Sequence, residues 1–318
     1  MKPSPKLLEK DLVEIIGRYN IGNFISFDSK SKSFDGKVYI FKTSKGKYVL
    51  KIFSLFKLSN IKYQNAIIRH LAKHNVPVPI NVLNKKGDEI TNIFGEDLLI
   101  QKFVDGREDS LLSIKLVKDM GKNFGLMHQA MLKFKDYEKK FDKSEYKILK
   151  LPKGSKFESI LNFDLNAINS FNDIPLTNLR KCHIHGDISC VNFLTKNDKL
   201  KAIIDFEEAH YGILVYDLAT FIAQNFVRSN FLFKKKIKYF IEEYEKIIKL
   251  NEYEKKALYY LIVHRLVIVI HWYTFRMQKY NIKSRDFREG INRSINRLKR
   301  FEKITLEKFI HMIGKSKD

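Results

Sequence analysis

His185-Gly186-Asp187 opens a loop that reaches Asn192 five residues after Asp187, and Ile203-Ile204-Asp205-Phe206 follows a short intervening segment. Two carboxylates and one carboxamide at this spacing supply the parts that phosphoryl transfer requires. Asp187 can accept or orient the proton of an attacking hydroxyl, while the amide oxygen of Asn192 and the carboxylate of Asp205 can hold Mg2+ on the phosphates of ATP. Alignment and electrostatics carry most of the rate in such a reaction, so the base need not remove the proton early. His185 reads as a brace for the loop. Alone, His-Gly-Asp also suits an ordinary turn, with Gly for backbone freedom and Asp for capping. Asn192 and an aspartate set between Ile204 and Phe206 change that reading, because a carboxylate in an apolar strand needs a partner or a cation.

Positioning these groups takes two kinds of structure, and the chain changes character accordingly. Lys37-Val38-Tyr39-Ile40-Phe41-Lys42 and Lys47-Tyr48-Val49-Leu50-Lys51-Ile52-Phe53 read as strands joined by the turn Thr43-Ser44-Lys45-Gly46. A helix over residues 59 to 73 ends before Val76-Pro77-Val78-Pro79, whose alternate prolines force extended backbone. A second strand pair spans Ile80 to Leu83 and Asp97 to Phe103, and Asp105-Gly106 turns the chain. From about Leu111 the spacing of Met120, Phe124, Leu126 and Met127, followed by Met131, is helical, and long helices fill much of 230 to 312. Short strands at Asn192 to Leu194 and Ala202 to Ile204 present the chemical loops, and Lys135 to Lys156 reads as a lysine-rich surface insertion. The first lobe is expected to end near residue 104.

The motifs at 185 to 192 and 204 to 206 resemble those of the aminoglycoside phosphotransferase and choline kinase-like superfamily, and the likeness continues through Tyr216-Asp217-Leu218-Ala219. The resemblance implies an α+β, bilobal protein-kinase-like fold: a small antiparallel β-sheet lobe over residues 1–104 for nucleotide, and a mainly helical catalytic and acceptor-binding lobe over 105–318. It implies ATP, with GTP as an alternative, and Mg2+ as cofactors. Asp187 and His185 fall at the catalytic positions, Asn192 and Asp205 at the metal positions, and Asp217 supports the catalytic loop. Lys51 would contact the nucleotide phosphates, but its usual helical glutamate partner is replaced by Gln64, which can hydrogen-bond and cannot neutralise it. A phosphate loop falls within Ser29 to Gly36, with Ser31, Ser33 and the backbone near Gly36 as contacts. Backbone groups of Gln101, Lys102 and Phe103 would meet adenine. Within the superfamily, Val76 to Pro79, Tyr211 to Ala219 and the overall length look most like the bacterial homoserine kinase branch. Lys51 fits aminoglycoside and methylthioribose kinase patterns equally well. The Asp-Phe-Gly and Ala-Pro-Glu signatures of protein kinases are absent.

The 318 residues are 44% hydrophobic and 30% charged, enough to bury a substantial core. Only Cys182 and Cys190 are cysteines, and Met1 to Leu7 carries no long apolar run, which suits a reduced, cytoplasmic setting. The most apolar stretch, Ala257 to Ile270, contains His264 and Arg265 and is shorter than a bilayer span, so it reads as a buried helix and no transmembrane segment is expected. The net charge is +23, and residues 230 to 318 hold 22 Lys or Arg against 10 Asp or Glu. Without a zinc-finger, basic-zipper or KH pattern, this charge reads as solvated helix surface rather than as specific nucleic-acid binding. The partner expected is a small-molecule hydroxyl acceptor; no feature specifies an oligomeric state. Such a charge disfavours polycationic aminoglycosides unless the cleft is locally acidic. Glu207 and Glu208 suit an amine-bearing acceptor or a solvated turn, and His264, His271, Trp272 and Tyr273 suit an acceptor pocket or core packing. The contrasting class is a basic kinase-fold scaffold without turnover, against which the retention of Asp187, Asn192 and Asp205 argues.

Overall fold

The computed structural model describes residues 9–32, 37–53, 57–109, 112–138, 140–142, 146, 171–227, 233–280 and 284–314, without the side chains of 28–32, 37 and 278. Most of the lysine-rich stretch 135–156 therefore lies outside the described residues.

Helix α1 (Glu9–Gly17) precedes an antiparallel sheet of six strands: β1 (Phe24–Lys32), β2 (Lys37–Thr43), β3 (Gly46–Phe53), β4 (Asn81–Val82), β5 (Thr91–Ile93) and β6 (Glu96–Lys102). The order is β1-β2-β3-β6-β4, with β5 also pairing to β6. The β2–β3 hairpin closes at Thr43 opposite Gly46, where the Lys45 N–H donates to Thr43 Oγ1 at 3.1 Å. Alternation along β3 sends Tyr48, Leu50 and Ile52 into a core shared with Tyr39, Phe41 and α1. Because successive strand residues point to opposite faces, Lys51 is delivered to the other side, toward the second lobe.

Helix α2 (Leu58–Lys73) lies on that side, and its Ala66, Ile67 and Leu71 join the core of the second lobe. The proline segment that follows is also a tie between lobes, since the Pro77 carbonyl accepts the Ile203 N–H at 2.8 Å. The second lobe runs α3 (Ile114–Met131), β7 (Lys181–Ile184), β8 (Phe193–Lys196), β9 (Lys199–Ile203), β10 (His210–Ile213), α4 (Val215–Phe221), α5 (Phe233–Glu245), α6 (Glu252–Lys279), α7 (Arg285–Phe301) and α8 (Leu306–Ile313). The pairs β7–β10 and β8–β9 are short antiparallel ribbons. Helix α3 crosses α5 closely at Gly121, where a Cβ would sit 2.3 Å from the Phe240 carbonyl oxygen. One turn further on, Phe124 packs its ring against Phe193, Phe221 and Phe240.

The apolar stretch Ala257–Ile270 is the middle of α6, which at 28 residues is far longer than the stretch itself. Residues Glu252–Met277 have the length and composition to cross a membrane, yet Leu258, Ile262, Val263 and Leu266 are buried in the core and the helix packs against α4 and α7. The middle of the helix is thus covered by protein, while Trp272 and Phe275 toward its C-terminal end are exposed.

Candidate active site

The loop after β7 is held from beneath by Asp217, in the first turn of α4. Its carboxylate has no exposed surface and accepts the backbone N–H of His185 at 2.8 Å and of Gly186 at 2.9 Å. His128 Nε2 lies 3.2 Å away and its Nδ1 is 2.9 Å from the Tyr244 hydroxyl, so α3, α4 and α5 converge on this one group. Burial opposes ionisation of Asp217, but the hydrogen bond and charge of His128, the charge of His185 and the His185 N–H outweigh it and hold the carboxyl below the ordinary value. Gly186 turns the chain at φ +84, and a Cβ there would lie 2.3 Å from the Glu208 carbonyl oxygen, so no larger residue fits. Asp187 emerges from this turn with its side chain 42% exposed, at the floor of an open cleft.

The two motifs are joined by backbone. Asn192 Nδ2 donates to the Asp187 carbonyl at 2.6 Å, its own carbonyl accepts the Ile204 N–H at 3.0 Å, and His185 Nε2 donates to the Ile204 carbonyl at 3.0 Å. His185 therefore bridges the loops, with its ring 4.7 Å from that of Phe206. Asp205 follows directly in the left-handed region at φ +67, which is costly for a residue with a Cβ, and its Oδ1 is buried without a hydrogen-bond partner. An orphaned carboxylate oxygen, one residue from the Ile204 N–H that the Asn192 carbonyl accepts, is a fitting donor for a hard cation that keeps phosphate and water ligands. Among the described residues there is no cluster of three or more His, Cys, Asp or Glu, and a cation of that kind needs none.

Lys51, Gln64, Gln101 and Asp205 line one narrow gap between the lobes. Lys51 has no ion pair among the described residues; Gln64, which lines the same gap, is buried and its Nε2 lacks a partner. Gln101 is likewise buried, with its amide on Asn81 Oδ1 at 2.9 Å. The N–H groups of Lys102 and Phe103 are taken by the carbonyls of Ile80 and Lys47, at 2.9 and 3.1 Å, so neither is free to donate to an adenine edge. Ser31 lies on β1 with its side chain outside the described set, and Ser33 and Gly36 lie outside the described residues.

The second cleft, about 440 Å³, is lined by Gly186, Asp187, Glu208, His210, Tyr216, Arg265 and Trp272. Arg265 Nη2 forms an ion pair with Asp187 Oδ1, and the Arg265 side chain is only 15% exposed. The Gln224 carboxamide stands beside this pair, with its oxygen accepting from Arg265 Nε at 3.3 Å and Nη2 at 2.9 Å. Turned the other way it would reach Asp187 Oδ1, 3.3 Å off, but would set its NH2 against the guanidinium. Gln224 is carried by a single π turn, Ile222–Phe226, that extends α4. Trp272, 44% exposed, contributes to this cleft, whereas Tyr273 packs on Phe287 and His264 is buried in the lobe core. Burial pushes the His271 imidazole below its ordinary value. Neither Arg265 nor Gln224 was expected here from motif spacing; a lone cation inside the apolar run 257–270 was the available signal, since it must find a partner.

A β-sheet lobe over a helical lobe, with the Asp205 loop and a strand lysine lining the gap between them, defines a kinase-fold phosphotransferase that uses ATP to modify small molecules. More narrowly, the chain belongs to the phosphotransferase enzyme family, whose sequence profile matches residues 31–245. It is similar to homoserine kinase of Bradyrhizobium diazoefficiens, 25% identical over 260 residues and 78% of each chain, and to that of Zymomonas mobilis, 24% identical over 256 residues covering 76% of this chain and 78% of the relative. Among solved structures it superposes on an amicoumacin kinase with a TM-score of 0.69, at 16% identity over 94% of both chains. A microcompartment-associated aminopropanol kinase gives 0.70, at 14% identity over 96% of this chain and 98% of that one. These superpositions speak to the fold.

Proposed function

We propose that the chain transfers the γ-phosphate of ATP to the hydroxyl of homoserine or a closely related small metabolite, in the cytoplasm, with residues 1–104 binding nucleotide and 105–318 supplying catalysis and the acceptor site. The observation that carries the reaction is the coupling of the two motifs: the Asn192 carbonyl accepts the Ile204 N–H and the His185 ring donates to the Ile204 carbonyl, next to Asp205. Asp187 orients the acceptor hydroxyl and receives its proton, and His185 keeps the loops in register. Asn192 and Asp205 would hold Mg2+, which when bound neutralises charge on the phosphate oxygens. Lys51 meets the phosphates together with Ser31, Ser33 and the backbone at Gly36, and the strand end from Gln101 through Lys102 and Phe103 borders the adenine.

The acceptor reading is supported by the homoserine kinases among the relatives, similar over three quarters of the chain, and by a cleft of about 440 Å³, suited to a small molecule. It is tested by incubating the protein with Mg2+, ATP or GTP and a panel of homoserine, other amino alcohols, methylthioribose, choline and aminoglycosides, read by mass spectrometry. Phosphohomoserine formed by the parent and lost in Asp187→Asn is the expected result. Product on an aminoglycoside alone would overturn the acceptor, and nucleotide binding without any product would overturn the transfer.

A further inference from the structure

We infer that Arg265 is the receptor for a carboxylate on the acceptor and Glu208 the receptor for its ammonium group, so that the cleft reads a zwitterionic amino alcohol by both charges. The inference rests on the phosphotransferase reading and assigns the specificity of that same site.

Arg265 comes from the middle of α6, where a guanidinium can be kept only if its charge is answered. Its partner is Asp187, the one carboxylate whose proposed task, receiving a hydroxyl proton, is hindered by a cation held against it. A guanidinium offers five N–H donors in a planar fork. Nη2 is engaged by Asp187, and Nε and Nη2 by Gln224, which leaves Nη1 without a partner among the described residues. The side chain lines the cleft, so an entering carboxylate finds an unused, pre-oriented donor edge and draws the guanidinium's charge away from Asp187. Glu208 lines the same cleft from the loop between β9 and β10, and its exposed carboxylate has no partner among the described residues. A polycationic acceptor would satisfy Glu208 and leave Arg265 opposed to its own charge.

The test measures binding by calorimetry, with Mg2+ and a non-hydrolysable ATP analogue present. The probes are homoserine, 3-aminopropan-1-ol, which lacks the carboxylate, and 4-hydroxybutanoate, which lacks the ammonium. Arg265→Gln should weaken homoserine and 4-hydroxybutanoate roughly 10- to 100-fold more than 3-aminopropan-1-ol, as expected for a charge-assisted hydrogen bond. Glu208→Gln should show the complementary selectivity, and Arg265→Lys, which retains charge without the fork, should lose less than Arg265→Gln. A parent that binds 3-aminopropan-1-ol as tightly as homoserine, one that binds no carboxylate probe, or an Arg265→Gln variant that weakens all three alike overturns the inference. Turnover separates the two readings. The charge pattern without phosphohomoserine refutes the acceptor named above and leaves recognition standing, whereas efficient phosphorylation of 3-aminopropan-1-ol refutes recognition and leaves transfer standing.

Discussion

Asp217 offers the sharpest perturbation, because it never faces the cleft yet holds the residues that do. Asp217→Asn is isosteric but has a single acceptor oxygen, so only one of the two N–H groups of His185 and Gly186 keeps its bond, and an NH2 is turned either toward the Gly186 N–H or toward the His185 N–H and His128 together. Losing one charge-assisted bond costs about 1.5–3 kcal/mol, and breaking a buried charge pair about 3–5 kcal/mol. Some adjustment of His128 toward the Tyr244 hydroxyl brings the expectation to about 3 kcal/mol. In a chain of this length that is a fall of about 5 °C in Tm. Because the same bonds set the Asp187 turn, kcat should fall at least about tenfold, with KM for ATP changing far less. The pH dependence fixes the sign. The folded carboxyl titrates below its ordinary 3.8, so its contribution is complete above pH 3.8 and drains away as pH falls below 3.8 toward the folded value. The Tm difference between parent and variant should therefore be constant above pH 3.8 and shrink on acidification. Melts and steady-state rates of the two proteins from neutral to acid pH make the comparison. A variant that melts within about 1 °C of the parent and keeps its kcat would refute the claim that this carboxylate organises the loop.

Asp205→Asn should raise the Mg2+ concentration needed for half-maximal turnover at least about tenfold, measured by metal titration at saturating nucleotide. Lys51→Met should raise KM for ATP about tenfold, a loss near 1.4 kcal/mol, without moving Tm, since Lys51 is in no ion pair among the described residues. Gly186→Ala forces a Cβ against the Glu208 carbonyl at a positive φ, so at least about 1–2 kcal/mol of strain should appear as a lower Tm together with lost kcat. Glu254→Gln removes the charge that Arg180 meets at 2.7 Å through Nε where β7 begins; Glu254 is buried but Arg180 is one-third exposed, so about 2 kcal/mol, rather than the full cost of a buried pair, should be lost in denaturant unfolding.

What the chain discloses in advance is what short-range pattern controls. The alternation from Lys47 to Phe53 is enough to place Lys51 on the face opposite Tyr48, Leu50 and Ile52, and the helix over 59–73 is stopped as the following prolines demand. The chemical motif is legible for the same reason, since Asp187 and Asn192 lie five residues apart on one loop that local hydrogen bonds close. The unforeseen parts are made by distance in sequence. Strands β7 and β10 are four residues each and pair only with one another, too short for periodicity to mark. The Arg265–Asp187 pair joins residues 78 apart. Gln224 arrives through a π turn that no motif in the sequence marks. Within it Asn225 Nδ2 donates to the Phe221 carbonyl at 2.8 Å, and the Val227 N–H reaches five residues back to the Ile222 carbonyl at 3.2 Å.

The contrast between a working enzyme and a retired scaffold turns on the gap between the lobes. Gln64 Nε2, Asn65 Nδ2 and Asp205 Oδ1 are buried without hydrogen-bond partners, and all three residues, with Lys51, line that gap. Each orphaned polar group costs about 1–3 kcal/mol of desolvation, and the positive φ of Asp205 adds strain to the same place. A basic scaffold that binds through its surface gains nothing from this arrangement and would be more stable with apolar residues there. Phosphates with a divalent cation would answer the carboxylate, the two amides and the lysine together. These unanswered groups are the ones the proposed nucleotide site would use.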